Sequence, residues 1–308
     1  MRKLDELREK LNIYFVGKNE VCDNILICFL VGGHVLLEDV PGVGKTTLAK
    51  TLAKLMDVGF KRIQFTPDTL PSDVVGLSIY NMKTGAFEYR EGSIMSQIIL
   101  ADEINRTAPK TQASLLEAMA EGQVTVDNNV YKLPEPFMVI ATQNPVEFLG
   151  TYPLPEAQMD RFMMKLSIGY PSESDEVTMV KNVLGDKVPS SQDSVCTVED
   201  IKKMKEEVSK VHVEDKMVLY IRNIVDSTRK DSRYVMGASP RATIALTKAA
   251  QAKAYLEGRD YVKPDDVRAV AENVLSHRLS LTAEAKIGGE KPENVLKSIV
   301  VSARVPME

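Results

Sequence analysis

One stretch constrains the fold more than any other, because it places a strand, a glycine-rich loop and a helix in direct succession. Val35-Leu36-Leu37 is an apolar run typical of a buried strand, and residues 46–55 carry apolar side chains at helical spacing. Between them the chain reads Glu38-Asp39-Val40-Pro41-Gly42-Val43-Gly44-Lys45-Thr46. In such a loop several backbone N–H groups can converge on one anion at the positive end of the new helix. The stretch therefore predicts a phosphate-binding loop.

This loop and the first turn of its helix supply the predicted nucleotide-binding residues, which are Pro41, Gly42, Val43, Gly44, Lys45, Thr46 and Thr47. The Lys45 amine would reach the β- and γ-phosphates of ATP, and the Thr46 hydroxyl would hold Mg²⁺. The usual G-x-x-x-x-G-K-[ST] pattern has glycine where this chain has Asp39. We expect a mild effect, because aspartate tolerates the left-handed backbone region better than most residues. The alternative is an ordinary strand-to-helix turn with a solvated lysine.

A second motif is an apolar strand that ends in two adjacent carboxylates, Asp102 and Glu103. In doubly wound sheets ligands bind at the carboxyl ends of the strands, so both side chains can reach the phosphate site. Asp102 would support the Mg²⁺ shell, and Glu103 would orient or deprotonate the attacking water. On its own, an Asp-Glu pair after a strand is also common in purely structural roles.

Three other segments each allow two interpretations. Asn144 follows the predicted strand 137–142, where it could form a turn or hydrogen-bond the γ-phosphate or the attacking water. Val16-Gly17 interrupts two predicted helices, either as a simple interhelical turn or as a segment that closes over the adenine. The hairpin predicted around residues 81–85 could be decoration, or it could project into a pore or toward a partner.

The succession of elements predicts two domains. Five strands with intervening helices indicate a three-layer α/β domain with a five-stranded parallel sheet, which ends near Tyr170. Beyond it we predict only helices, at residues 173–184, 198–211, 214–229, 240–256 and 264–278, with a linker-like loop at 188–196. We therefore predict a nucleotide-binding core over residues 1–170 and an all-α lid over 171–308.

Composition narrows the class of protein. The chain has 308 residues, of which 44% are hydrophobic and 27% charged, and its net charge of -4 suits a soluble globular protein. No apolar run approaches the roughly 20 residues that span a bilayer, and no signal-peptide core is evident, so we expect the cytoplasm. The three cysteines and three histidines lack metal-ligand spacing, which favours buried thiols. No basic run indicates nucleic acid as an obligatory partner.

Six motifs follow one another in order along the chain, at residues 38–46, 64–68, 102–106, 141–145, 154–162 and 237–241. In this combination they resemble the MoxR family of AAA+ ATPases, over almost the whole chain from Phe15 to about Arg278. Aspartate at the position of Asp39 is usual in that family. The resemblance implies an AAA+ core followed by a helical lid, and Mg²⁺-dependent hydrolysis of ATP.

The resemblance also implies a ring, commonly a hexamer, with ATP bound between subunits. In it Asn144 would be the first sensor, Arg241 the second sensor from the lid, and Arg161 the finger inserted into the neighbour's site. Arginine suits the last two roles because it stays charged and its planar fork can neutralise phosphoryl oxygens. The alternative for both arginines is a surface ion pair, and Arg106 is a secondary candidate for the finger.

Family members are thought to act as chaperone-like remodellers, often beside a protein with a von Willebrand factor A domain. Hydrolysis would shift the lid against the core, and the hairpins around residues 81–85 and 127–129 would transmit the motion to a protein client. A nucleic-acid motor or loader is a second possibility, but the hairpin tips carry little positive charge. A third is a nucleotide-gated scaffold with little turnover, which the joint presence of Lys45, Asp102, Glu103, Asn144 and Arg161 disfavours.

Overall fold

The computed structural model describes residues 2–144, 151–185 and 194–305. Pro145 of the fourth motif and most of the predicted loop at 188–196 lie outside the described residues. Within the described part of the chain, no helix combines the length and the apolar character needed to span a bilayer. The three cysteines are buried, as predicted.

Strands alternate with helices through the first half of the chain. The strands are β1 (Val35–Glu38), β2 (Phe60–Gln64), β3 (Gly76–Asn81), β4 (Ala86–Glu91), β5 (Ile98–Asp102), β6 (Gln123–Val126), β7 (Asn129–Lys132), β8 (Met138–Gln143), β9 (Met164–Leu166), β10 (Tyr234–Met236) and β11 (Ser280–Leu281). The helices are α1 (Lys3–Tyr14), α2 (Asn19–Leu30), α3 (Lys45–Leu55), α4 (Pro71–Val75), α5 (Pro109–Glu121), α6 (Glu156–Met159), α7 (Glu173–Leu184), α8 (Val198–Ser209), α9 (Asp215–Lys230), α10 (Pro240–Leu256), α11 (Pro264–Leu275), α12 (Ala283–Ile287) and α13 (Pro292–Ser302).

The central sheet has five strands in the order β2-β5-β8-β1-β9. Strand β5 pairs in parallel with both β2 and β8, and β8 also pairs in parallel with β1. Both faces of β5 and β8 are covered, and residues Ile98 to Ala101 and Met138 to Ala141 are fully buried. This burial explains why both strands are continuous apolar runs and do not alternate between apolar and polar residues. The predicted α/β core is confirmed. Parallel pairing brings the carboxyl ends of β1, β2, β5 and β8 to one edge of the sheet.

Two antiparallel hairpins extend this α/β arrangement, β3 with β4 and β6 with β7, and both were predicted. Tyr89 of the first stacks on Tyr131 of the second, with ring centroids 3.8 Å apart. The connection before β3 contains helix α4, which begins with Pro71 at a position that needs no N–H donor.

The prediction that only helices follow residue 170 was wrong in its details. Strands β10 and β11 form a small antiparallel ladder, and helices α12 and α13 follow it. Strands of three and two residues are too short to show a period of two, and their pairing joins segments more than 40 residues apart. The predicted helices at 173–184, 198–211, 214–229, 240–256 and 264–278 are present as α7 to α11, with ends shifted by up to three residues.

The chain forms two compact units that are discontinuous in sequence. The first comprises Met1–Cys22, His34–Leu154 and Leu166–Ile201, and the second Asp23–Gly33, Pro155–Lys165 and Lys202–Glu308. The first unit contains the loop predicted to bind phosphate, whereas Arg161 and Arg241 belong to the second. The boundaries of these two units therefore differ from a single boundary at residue 170. The domains at 1–170 and 171–308 stay a prediction.

Candidate active site

A cavity of about 340 Å³ lies in the first unit, where the carboxyl ends of β2, β5 and β8 meet the start of α3. Its size falls in the range of small-molecule sites, about 300–1,000 Å³. It is lined by Pro41, Gly42, Gly44, Lys45, Thr46, Thr47, Arg62, Asp102, Glu103 and Asn144. All of these except Arg62 were predicted, so the structure gathers the two sequence motifs and Asn144 around one space.

The loop between β1 and α3 depends on two glycines with left-handed backbone. Gly42 has φ 88° and Gly44 has φ 91°, a region that side chains with a Cβ rarely adopt. Gly44 is also the residue before the first turn of α3, and a Cβ there would lie 3.1 Å from the Phe15 ring. The loop backbone can therefore approach an anion closely at the N-terminus of the helix.

Asp39 has a different role from the one expected. In the described part of the chain, the non-glycine residues with positive φ are Asp57, Glu103, Asp127 and Asn128, so Asp39 does not use the left-handed region. Its buried carboxylate instead accepts three hydrogen bonds, from Ser167 Oγ at 2.8 Å, Ile168 N at 2.6 Å and Gly169 N at 3.0 Å. Asp39 thus ties the start of the loop to the segment after β9, and this contact explains an aspartate at that position.

Lys45, the first residue of α3, points back along the loop. Its Nζ donates a hydrogen bond to the backbone carbonyl of Asp39 at 2.7 Å. Burial lowers the pKa of Lys45, while the negative charges of Asp39, Asp102 and Glu103 act in the opposite direction. A cation that lies near these carboxylates at the N-terminus of a helix is suited to bind phosphate oxygens.

Both oxygens of Asp102 accept hydrogen bonds. Oδ1 accepts from Thr142 Oγ1 at 2.6 Å, and Oδ2 accepts from Arg62 Nε at 3.1 Å and Nη2 at 2.6 Å. Sequence reasoning missed Arg62 and Thr142. The available signal was position, because Arg62 lies near the end of β2 and Thr142 near the end of β8, the two strands that flank β5.

Glu103 adopts a left-handed backbone, with φ 58° and ψ 48°. Such a conformation costs a non-glycine residue about 1–3 kcal/mol, and strain of this kind concentrates at functional sites. The backbone N–H of Glu103 donates to Thr142 Oγ1 at 2.9 Å. Its carboxylate accepts from Gln64 Nε2 at 2.8 Å and from Arg106 Nη1 at 3.0 Å. The left-handed turn thus aims the carboxylate toward the end of β2.

Three predicted binding residues do not line the cavity. They are Val43, which lies within the loop, and Val16 with Gly17, which join α1 to α2. Gly17 has φ 76°, and a Cβ at this position would overlap the Asp175 carboxylate. The glycine is therefore required by the turn and its close neighbour, and the adenine role stays a prediction.

Arg161 belongs to the second unit, where the residues on either side of it are fixed. The Asp160 carboxylate pairs with Arg278 at 3.3 Å, and the Phe162 carbonyl accepts from Arg278 Nη2 at 2.7 Å. His277 Nε2 lies 3.1 Å from the same carbonyl, and burial lowers the pKa of this imidazole to about 3. Arg161 itself is partly exposed, and Arg241 is exposed in the first turn of α10. Neither arginine appears in the ion pairs seen among the described residues.

A parallel sheet, a glycine-rich loop that opens a helix with lysine and threonine, and two carboxylates in the same cavity define a P-loop nucleoside triphosphatase. Residues 34–164 match the family described as "ATPase family associated with various cellular activities (AAA)", and residues 226–299 match an AAA lid domain. The first match covers the cavity, and the second covers most of the helices after α8.

Relatives extend these matches over nearly the whole chain. A protein of Bacillus subtilis named YeaC, itself uncharacterised, is 51% identical over 97% of this chain and 94% of its own length. Chaperone MoxR1 of Mycobacterium tuberculosis is 39% identical over 94% of this chain and 79% of its own length. A crystal structure of a candidate ATPase from Cytophaga hutchinsonii superposes with a TM-score of 0.92 at 41% identity, covering 99% of this chain and 95% of the other. The chain belongs to the MoxR family of AAA+ ATPases, and it is an ATPase.

Proposed function

We propose that the chain couples Mg²⁺-dependent ATP hydrolysis to the remodelling of partner proteins. The observation that carries this proposal is the single cavity shared by Lys45, Thr46, Asp102 and Glu103. Hydroxyl and carboxylate oxygens are the ligands that Mg²⁺ prefers, so Thr46 and Asp102 fit the ion. Bound there, Mg²⁺ would neutralise charge on the phosphate oxygens.

The remaining steps fall to side chains of this chain. Lys45 would move from the Asp39 carbonyl to the β- and γ-phosphates, and the loop N–H groups would hold the phosphate oxygens. Glu103 would turn away from Gln64 and Arg106 to orient the attacking water, because both side chains donate to one oxygen of its carboxylate, Oε2. Asn144 at the end of β8 would hydrogen-bond that water or the γ-phosphate.

For assembly we propose a ring, hexameric as in the family, with Arg161 reaching the neighbour's site and Arg241 acting as second sensor. Support comes from the fixed residues around Arg161, since Arg278 and His277 hold the backbone on its C-terminal side. An arginine on a rigid segment is suited to a precise charge-neutralising role. Arg106 is less suited, because it is engaged by Glu103 of its own chain.

As partners we propose a protein client and a von Willebrand factor A domain protein, in the cytoplasm. The name of the M. tuberculosis relative, a chaperone, supports remodelling. So does the β3–β4 hairpin, where Tyr80, Met82 and Phe87 are 52%, 92% and 73% exposed. Apolar tips suit contact with protein better than contact with a phosphate backbone.

The proposal is tested by separating nucleotide binding from turnover. Lys45→Ala should lose affinity for ATP in titration calorimetry, whereas Glu103→Gln should bind ATP and release little phosphate. Lys50→Ala, an exposed lysine on the same helix, is the matched control. Wild-type turnover by Glu103→Gln would contradict the assignment of the carboxylate. Stimulation of the wild-type rate by single-stranded DNA would favour a nucleic-acid motor instead.

A further inference from the structure

We propose that Arg62 is a positioning residue whose guanidinium holds the Asp102 carboxylate and competes with the metal ion for it. The inference rests on the proposed function, in which Asp102 supports the Mg²⁺ shell. In this proposal the Arg62 guanidinium provides the positive charge beside a carboxylate that would otherwise contact the metal ion.

The contacts between Arg62 and Asp102 are directed and close. Two guanidinium nitrogens, Nε at 3.1 Å and Nη2 at 2.6 Å, donate to the same oxygen, Oδ2. Nη2 also donates to Gln64 Oε1 at 2.6 Å, which fixes the plane of the guanidinium. The parallel register of β2 and β5 places Gln64 opposite Asp102 and sets this arrangement. An arginine fork on one carboxylate oxygen is a stronger contact than a lysine at the same distance.

Both members of this pair line the cavity, which distinguishes it from an ion pair on an outer face. Asp102 is largely buried, with 15% of its side chain exposed, whereas the Arg62 side chain is 47% exposed. The other cation that lines the cavity, Lys45, donates to the Asp39 carbonyl. Among the cations that line the cavity, the Arg62 guanidinium is therefore the one that bonds to the Asp102 carboxylate.

A metal ion and Arg62 cannot share this carboxylate favourably. The two N–H groups of Arg62 occupy both lone pairs of Oδ2, and Thr142 donates to Oδ1, which leaves one of the four acceptor positions of the carboxylate. A hydrated divalent cation in contact with Asp102 would lie within a few ångströms of the guanidinium, and like charges at that distance repel each other. Because Arg62 is half exposed, its long side chain can turn aside without disturbing the sheet. The ion pair thus opposes metal binding until nucleotide supplies the remaining ligands.

The test compares Arg62→Gln with Lys61→Gln. Lys61 is the preceding residue of β2, it is exposed, and its side chain lies on the opposite face of the strand. Both variants remove one positive charge, so the control separates the contact with Asp102 from the change in net charge. The affinity of a labelled, non-hydrolysable ATP analogue is measured by fluorescence, once with saturating Mg²⁺ and once with EDTA. The ratio of the two affinities is the Mg²⁺ enhancement.

We expect the Mg²⁺ enhancement of Arg62→Gln to exceed that of wild type by about threefold to fivefold, the upper part of the range that an exposed ion pair supplies. Lys61→Gln should match wild type. An enhancement in Arg62→Gln equal to that of Lys61→Gln would overturn the inference while leaving the proposed function intact. If wild type shows no Mg²⁺ enhancement, the metal role of Asp102 fails, and the inference fails with it.

A second variant and a melting experiment control for a folding defect in Arg62→Gln. Arg62→Lys keeps the charge but loses the two-nitrogen contact, so its enhancement should rise by about twofold, less than in Arg62→Gln. Thermal melting in EDTA checks that each variant is folded. An Arg62→Lys protein with the wild-type enhancement and an unchanged melting temperature would also count against the inference.

Discussion

Thr142 joins the two carboxylate residues of the site, and its hydroxyl provides a sharp test of how they are held. The side chain is 1% exposed at the end of β8. Its Oγ1 donates to Asp102 Oδ1 at 2.6 Å and accepts from the Glu103 N–H at 2.9 Å. Thr142→Val keeps the shape of the side chain and removes both hydrogen bonds. The strained backbone of Glu103 then loses one of the contacts that hold it.

The magnitude follows from these two bonds. A hydrogen bond to a charged group contributes about 1.5–3 kcal/mol, and a buried donor left unsatisfied costs about 1–3 kcal/mol. The site is partly open to water, which can replace some of the loss, so the low end of each range applies. We expect Thr142→Val to lower the free energy of unfolding by about 2–3 kcal/mol and to reduce ATP turnover, because Glu103 is no longer held in position.

Urea denaturation followed by circular dichroism measures the first effect, and phosphate release measures the second. Thr142→Ser is the matched control, since it keeps the hydroxyl and loses only a methyl group. It should lose about 1 kcal/mol and retain most of the turnover. If the two variants had the same unfolding free energy and the same rate, the hydroxyl would not hold the site, and the reasoning would be wrong.

Two other predictions concern residues of the second unit, Arg161 and His277. Arg161→Ala and Glu103→Gln should each be nearly inactive. A mixture of the two with complete subunit exchange should hydrolyse ATP faster than the sum of the separate rates, because some interfaces then contain both an intact Arg161 and an intact Glu103. If differently tagged chains confirm the exchange and the rate does not rise, Arg161 does not act in trans. His277 is buried with its pKa lowered to about 3, so the stability it contributes is present above its usual pKa of 6.5 and is lost as the pH falls from 6.5 toward 3. Between pH 7 and pH 5 the free energy of unfolding measured in urea should fall by about 2 kcal/mol, and this fall should be absent in His277→Gln. An identical pH dependence in both proteins would show that His277 is not the group responsible.

Most residues that line the cavity could be predicted from the sequence alone. The loop from Pro41 to Thr47 and the carboxylates Asp102 and Glu103 could be predicted because each motif is contiguous with the strand that carries it. Parallel strands then bring their carboxyl ends to one edge without further information, which also places Asn144 at the cavity. Local order along the chain was therefore sufficient to predict that these side chains meet at one cavity.

The contacts that hold these groups could not be predicted, because they depend on the tertiary structure. Asp39 bonds to Ser167, 128 residues later, and Arg62 and Gln64 reach Asp102 and Glu103 across the pairing of β2 with β5. Such contacts depend on which strands become neighbours and in which register, and no pattern within one segment specifies either. The same reason applies to the β10–β11 ladder and to the two discontinuous units, since both arise from segments that are distant in the chain.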